Sequence, residues 1–224
     1  MYSRNLVSYA DALEMQRTSQ AYFIKKSKFL DEIHNNYIPK NKYEGQAGTV
    51  FLLQHSPIYT LGKAGNEKFL LDPSIQVTRV ERGGEVTFHG PGQLVGYLIF
   101  DLNQFKKDLH WMLRNVEEVI ISTIQKFGIE GSRVQGKTGV WVGNSKIAAI
   151  GLSARNWVTM HGFALNVHRD CLTGFEKIVP CGILDGKVTC IQDSYPLVNF
   201  DEVQNKVIDS LINVFNIDFA KQEF

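Results

Sequence analysis

Residues Arg82 to Gln93 read Arg-Gly-Gly-Glu-Val-Thr-Phe-His-Gly-Pro-Gly-Gln, with four glycines and a proline within twelve residues. Breakers at that density exclude a single regular helix or strand, so an irregular backbone is expected here. Directly after it, Leu94 to Leu102 reads as a buried strand. Glycines let a backbone approach a ligand closely and expose its N–H groups. Arg82 and His89 add polar side chains to such a surface. The plainer reading of the stretch is a hairpin with its loop. A phosphate-binding loop is excluded, because no Gly-Lys-Ser/Thr follows.

The rest of the chain supplies elements to build around that stretch. Ser8 to Lys25 reads as a helix capped by Ser8. Lys25 to Lys42 is polar, carries five lysines and shows no firm period. Thr49 to Gln54 is a strand broken by His55-Ser56-Pro57, and Gln76 to Glu81 alternates imperfectly up to Gly83-Gly84. Asp108 to Phe127 spaces Leu109, Leu113, Val116, Ile120 and Ile124 as an amphipathic helix does, and Gly128 stops it. Gly139 to Gly151 reads as a hairpin turning at Gly143-Asn144, and Trp157 to Val167 as another strand. Phe200 to Phe215 closes the chain as a helix with Val203, Val207, Leu211 and Phe215 on one face. Helices at the start, middle and end with strands between them predict an α+β fold, a sheet flanked by helices. No repeat or Pro/Gly/Ser-rich linker divides the 224 residues, so a single domain over 1–224 is expected.

The 24 basic and 23 acidic side chains give a net charge of +1, which argues against nucleic-acid binding by bulk charge. A membrane-spanning helix needs about 20 apolar residues, and no such stretch occurs. The first residues lack the apolar core of a signal peptide. Three cysteines, Cys171, Cys181 and Cys190, then read as reduced thiols in an intracellular compartment. Their spacings of ten and nine residues contain no Cys-x-x-Cys pair, so no metal site is expected.

Three further features can carry chemistry. Lys146 follows a tight turn, where lysines are usually solvated, but Ile147-Ala148-Ala149-Ile150 after it is small and apolar. If Lys146 points the same way as Ala148 and Ile150, it faces the core. Cys181 lies in Val179-Pro180-Cys181-Gly182-Ile183, an open backbone setting that suits a thiol a substrate must reach. The alternative is a small buried core residue. Cys171 and Cys190 lack that setting and read as structural. His161-Gly162 opens an apolar strand and is either a site residue or a structural histidine.

Together these segments resemble the lipoyl(octanoyl) transferase family over nearly the whole chain, in order. The match begins with Asn5 to Tyr9 and Gln16. It continues through His55-Ser56-Pro57-Ile58-Tyr59-Thr60-Leu61-Gly62 and Arg82 to Gln93, then Lys146-Ile147, His161 to Asn166, and Pro180-Cys181-Gly182-Ile183. Phe163 departs from the usual leucine and changes the shape of a side wall. The resemblance implies the fold of biotin and lipoate protein ligases, a mixed sheet flanked by helices. It also implies transfer of an octanoyl group from octanoyl-acyl carrier protein to a lysine of a lipoyl domain. Those domains belong to the E2 subunits of 2-oxoacid dehydrogenases and to the glycine cleavage H protein. The implied catalytic pair is Cys181 and Lys146. The implied substrate surface is Arg82, Gly83, Gly84, Glu85, Val86, Thr87, Phe88 and His89, with Ala149, Ile150, Gly151, Gly162, Phe163 and Ala164. A monomer is implied, working in the bacterial cytoplasm or inside a mitochondrion or plastid.

The chemistry of the residues agrees. A thioester donor and an amide product make transfer downhill, so neither ATP nor a cofactor is expected. A thiol of pKa about 8.5 is only a few per cent ionised at neutral pH. Lys146 can raise that fraction as a neighbouring cation, or accept the thiol proton and later take one from the incoming lysine. The rival readings are an ATP-dependent lipoate or biotin ligase, a hydrolase pairing Cys181 with His89 or His161, and a binding module without chemistry.

Overall fold

The computed structural model describes residues 2–34, 46–180 and 186–219. Its main sheet is mixed. The order is β1 (Tyr2–Val7), β2 (Gly48–His55), β6 (Gln93–Phe100), β10 (Val158–Asn166), β9 (Ser145–Arg155), β8 (Lys137–Val142) and β7 (Ser132–Val134). Strand β1 runs parallel to β2, and β11 (Lys187–Val188) lies parallel on β9, while the other pairs are antiparallel. The central strand β6 is buried along its whole length, because both faces of the sheet are covered.

Two cores produce that burial. On one face Leu94, Leu98 and Leu165 meet Met112, Val116 and Ile120 of α2 (Leu109–Gln125) and Val207 and Leu211 of α4 (Phe200–Phe215). On the other, Val95, Tyr97 and Ile99 meet Ala12 and Phe23 of α1 (Tyr9–His34). The caps follow the sequence: Ser8 Oγ accepts from the Asp11 amide (3.1 Å), Asp108 from Trp111, and Asn199 from Glu202. Gly128, at φ 73°, follows α2. Helix α1 continues past Lys25 to His34, since residues 26–34 contain neither Gly nor Pro and adding a turn to an existing helix is easy.

A second sheet, β4 (Val77–Arg79), β3 (Ile58–Leu61) and β5 (Thr87–His89), folds over the first. Its own core is Leu61, Val86, Phe88, Phe175 and Ile178. The glycine-rich stretch is therefore not irregular throughout. Its glycine-free centre makes the short strand β5, with glycine turns on both sides. Among the described residues no helix is long and apolar enough to cross a membrane.

Candidate active site

A cavity of about 220 Å³ lies between the two sheets. Arg82, Gly83, Gly84, Glu85, Thr87 and His89 border it on the side of the small sheet. Ala149, Ile150, Gly151, Gly162, Phe163 and Ala164 border it on the side of the main sheet, and Lys146 lies in the same wall. Val86 and Phe88 do not border it. Strand alternation turns both into the small sheet's core, with Val86 fully buried there. The Phe163 ring also turns away, into the α2/α4 core over Gly96, where a Cβ would collide with it. The change from leucine at 163 thus falls on a residue shared by that core and the cavity wall.

Lys146 is 6% exposed. Its direction is set by a β-bulge. Val140 stands opposite Ala148, but the next residue, Trp141, stands opposite Lys146, so Ile147 is the extra residue of β9. Ile147 and Ala148 join the α2/α4 core. The bulge changes the parity of the strand, so Lys146 does not share a side with Ala148 and Ile150. It stands over the Trp141 ring, 5.2 Å from its centroid. Gly139, at φ 122°, gives it room: a Cβ there would lie 3.1 Å from Lys146 Cε and 2.5 Å from the Ala148 carbonyl oxygen. The Gly139 amide donates to Glu117 Oε1 at 3.3 Å. Glu117 is fully buried in α2 and ion-paired to Arg114 (2.6 Å) and Arg133 (3.0 Å). That carboxylate fixes the strand on which the lysine rests.

Arg82 is used by its own loop. Its guanidinium donates to the carbonyls of Gly83, Glu85 and Thr60 and to Thr60 Oγ1, at 2.8–3.0 Å. Gly151 lets this clamp approach the main sheet, since a Cβ there would meet Arg82 Cδ at 3.0 Å and the Gly83 oxygen at 3.1 Å.

Hydrogen bonds fix the state of the histidines. Gln93 Nε2 donates to the Phe88 carbonyl and to Asn166 Oδ1, so Gln93 Oε1 accepts from His89 Nδ1 at 2.8 Å. His89 Nε2 then accepts from Thr60 Oγ1 at 3.4 Å. Burial, chiefly, holds His89 near pKa 3. His55 donates from Nδ1 to the Val7 carbonyl (2.8 Å) and accepts the Tyr97 hydroxyl at Nε2 (2.7 Å). His161 is buried with its pKa drawn down to about 4, first by burial and then by Arg82 and Arg17. Both cavity histidines are therefore poor general bases at neutral pH. His161 also has φ 64° inside a strand, a left-handed conformation that costs about 1–3 kcal/mol in a non-glycine residue.

Cys181 falls outside the described residues, as do Gly182 and Ile183. Its flanks are held at both ends. On the N-terminal side the Val179 amide donates to the Phe69 carbonyl (2.8 Å). On the C-terminal side Val188 pairs with Lys146, and the Thr189 amide donates to the Lys146 carbonyl (3.0 Å). Asn166 links this end to the histidine network, donating to the Thr189 carbonyl at 3.0 Å. Cys171 and Cys190 are buried, and burial pushes both thiol pKa values up, Cys190 to about 11.

A family model described as the lipoyl protein ligase A/B catalytic domain matches residues 32–212. An octanoyltransferase of Nostoc punctiforme is 41% identical over 227 residues, covering 100% of this chain and 91% of the relative. One of Pelobacter propionicus is 46% identical, covering 84% and 86%. The chain belongs to the octanoyltransferase family. It is accordingly an acyltransferase of protein lipoylation. The family match spans the glycine-rich stretch, Lys146, the His161 strand and Cys181. The octanoyltransferase chain shares its fold with solved ligases. A lipoate-protein ligase A bound with ATP superposes with TM-score 0.66 at 19% identity, covering 86% of this chain and 80% of that one. A bipartite lipoate protein ligase from Thermoplasma acidophilum gives 0.65 at 18%, covering 97% and 84%.

Residues at the cavity that sequence reasoning did not single out include Tyr9, Tyr97, Gly136 and Thr138, with Trp141, Gly139 and Glu117 behind them. Glu117 left a signal: it interrupts the apolar stripe Leu113, Val116, Ile120, Ile124 of α2. Tyr9 lies in the segment Asn5 to Tyr9 that opens the family resemblance, while Tyr97 left no signal.

Proposed function

We propose that this single domain, residues 1–224, transfers an octanoyl group from octanoyl-acyl carrier protein to a lysine of a lipoyl domain through a thioester on Cys181. The observation that carries the reading is the pairing of Val188 with Lys146. It leaves Cys181 at most about 20 Å of extended chain from Lys187, the neighbour of that pair, on a segment whose other end is tied to Phe69, which packs against the small sheet's core. In the first step the Cys181 thiolate attacks the thioester carbonyl, forming a new C–S bond and expelling the carrier's thiolate. Lys146 takes the Cys181 proton and delivers it to that leaving sulfur. In the second step the amine of the lipoyl-domain lysine attacks. Its C–N bond forms, its proton passes to Lys146, and the Cys181 thiolate leaves.

The cavity serves as the acyl slot, bordered by Arg82, Gly83, Gly84, Glu85, Thr87 and His89 and by Ala149, Ile150, Gly151, Gly162, Phe163 and Ala164. Burial of the alkyl tail is worth about 0.8 kcal/mol per CH₂, so contacts with the two partner proteins must add to its affinity. One chain holds every residue invoked, and a monomer suffices. The test is purified protein mixed with octanoyl-acyl carrier protein and a lipoyl domain without ATP. The domain gains an octanoyl group. Transfer that requires ATP and releases pyrophosphate supports a ligase instead, and free octanoate without transfer supports a hydrolase.

A further inference from the structure

We propose that His161 closes the inner end of the acyl slot and sets the longest chain this enzyme transfers. The inference rests on the proposed reading of the cavity as the acyl slot.

The slot has a direction. Lys146, Ala149 and Gly151 follow one another along β9, and Leu152 stands opposite His161 on β10. At about 3.3 Å per residue the His161 backbone lies some 15–20 Å along the sheet from that of Lys146. Between the two ends the sheet is nearly bare. Gly151 and Gly162 face each other across the strands and offer no side chain. The next side chain an alkyl tail meets on β10 is His161.

Its placement is specific. His161 has φ 64° in the middle of a strand, and its amide is held by Gln16 Oε1 of α1 at 2.9 Å. The side chain is 2% exposed. Its Nε2 has no hydrogen-bond partner among the described residues, although the ring borders the cavity. A buried polar atom normally finds a protein partner; this one has none among the described residues, and the ring stands as a wall residue of the cavity. The Tyr97 ring backs it edge-on, centroids 6.3 Å apart. A neutral imidazole supported by a tyrosine is a flat, rigid stop.

The experiment compares octanoyl-, decanoyl- and dodecanoyl-acyl carrier protein as donors to a lipoyl domain, for the wild type and for His161→Gly and His161→Asn. Glycine adopts positive φ without strain and asparagine tolerates it, so both substitutions suit this backbone. The wild-type kcat/KM is expected to fall steeply beyond octanoyl. In His161→Gly the decanoyl-to-octanoyl ratio should rise about tenfold or more, since each methylene newly accommodated is worth roughly fourfold. Asn, shorter than His, should give a smaller rise. A residue with only a structural role would lower all donors alike and leave the ratio unmoved. Wild-type protein that transfers octanoyl and dodecanoyl groups equally well overturns the proposal, as does an unmoved ratio in a folded variant. If the glycine variant fails to fold, the asparagine variant decides. Failure of the wild type to transfer any acyl group would overturn the proposed function itself, which is a different result.

Discussion

Gly139→Ala is the sharpest perturbation of the lysine's seat. The backbone there has φ 122°, and an added Cβ would lie 2.5 Å from the Ala148 carbonyl oxygen and 3.1 Å from Lys146 Cε. A side chain held in that region costs about 1–3 kcal/mol. Relief of the contact also draws the Gly139 amide from Glu117, and one such hydrogen bond is worth about 1 kcal/mol. The sum is about 2–4 kcal/mol, which for a chain of this size lowers Tm by roughly 5–15 °C. The lysine must move as well, and a displacement of about 1 Å in a catalytic group can cost on the order of 100-fold in rate. Gly143→Ala is the control: its φ is 55° but nothing lies within 4 Å of the added Cβ. It should lose about 1 kcal/mol and keep its transfer rate. The assay is thermal unfolding of both variants, with octanoyl transfer measured well below either Tm. A Gly139→Ala enzyme within twofold of the wild-type rate would refute the reasoning that this glycine seats Lys146.

Cys171→Ala and Cys190→Ala should retain transfer in the same assay, because burial keeps both thiols protonated at neutral pH; loss of activity in a folded variant of either would mean that the wrong thiol has been chosen. Lys146→Arg keeps the charge but cannot give up a proton. It is expected to accumulate acyl-enzyme and fail to pass it on, which single-turnover measurement of each half-reaction reads directly. An arginine variant with undiminished overall transfer would restrict Lys146 to a purely electrostatic role. Stability should fall as pH drops from about 6.5 towards 4. In that window the unfolded chain protonates His89 and His161, whose folded pKa values are about 3 and 4, so the unfolded state binds more protons and is favoured. Thermal melts across pH check this, and a His89→Gln variant should show a shallower fall; a melting temperature independent of pH between 6.5 and 4 contradicts it.

Elements whose limits are local were legible in the sequence. Helix α4 runs from Phe200 to Phe215, as its apolar spacing requires, and α2 lies between Asp108 and Gly128. The β8–β9 hairpin turns at Gly143-Asn144. What depends on a distant partner was not legible. The inserted residue Ile147 becomes visible only when Trp141 and Lys146 are seen to pair, and it alone decides which way the lysine faces. The resemblance implies Val86 and Phe88 as substrate-surface residues, yet strand alternation buries them beneath the small sheet. Arg82 looks like a ligand group in a glycine-rich loop, but its acceptors on Thr60 lie 22 residues away in sequence. The amide of His161, in its left-handed backbone, is held by Gln16, 145 residues earlier, and no local pattern announces it.

The central claim is that the acyl group passes through a covalent thioester on Cys181, with Lys146 beside it. The most direct measurement is intact-mass spectrometry of the protein after brief mixing with octanoyl-acyl carrier protein alone, followed by peptide mapping of the adduct. The account predicts one octanoyl group per chain, placed on Cys181, labile to hydroxylamine, absent from Cys181→Ser and discharged when a lipoyl domain is added. Complete transfer to a lipoyl domain by folded Cys181→Ser, or an adduct mapped to any other residue, would contradict it.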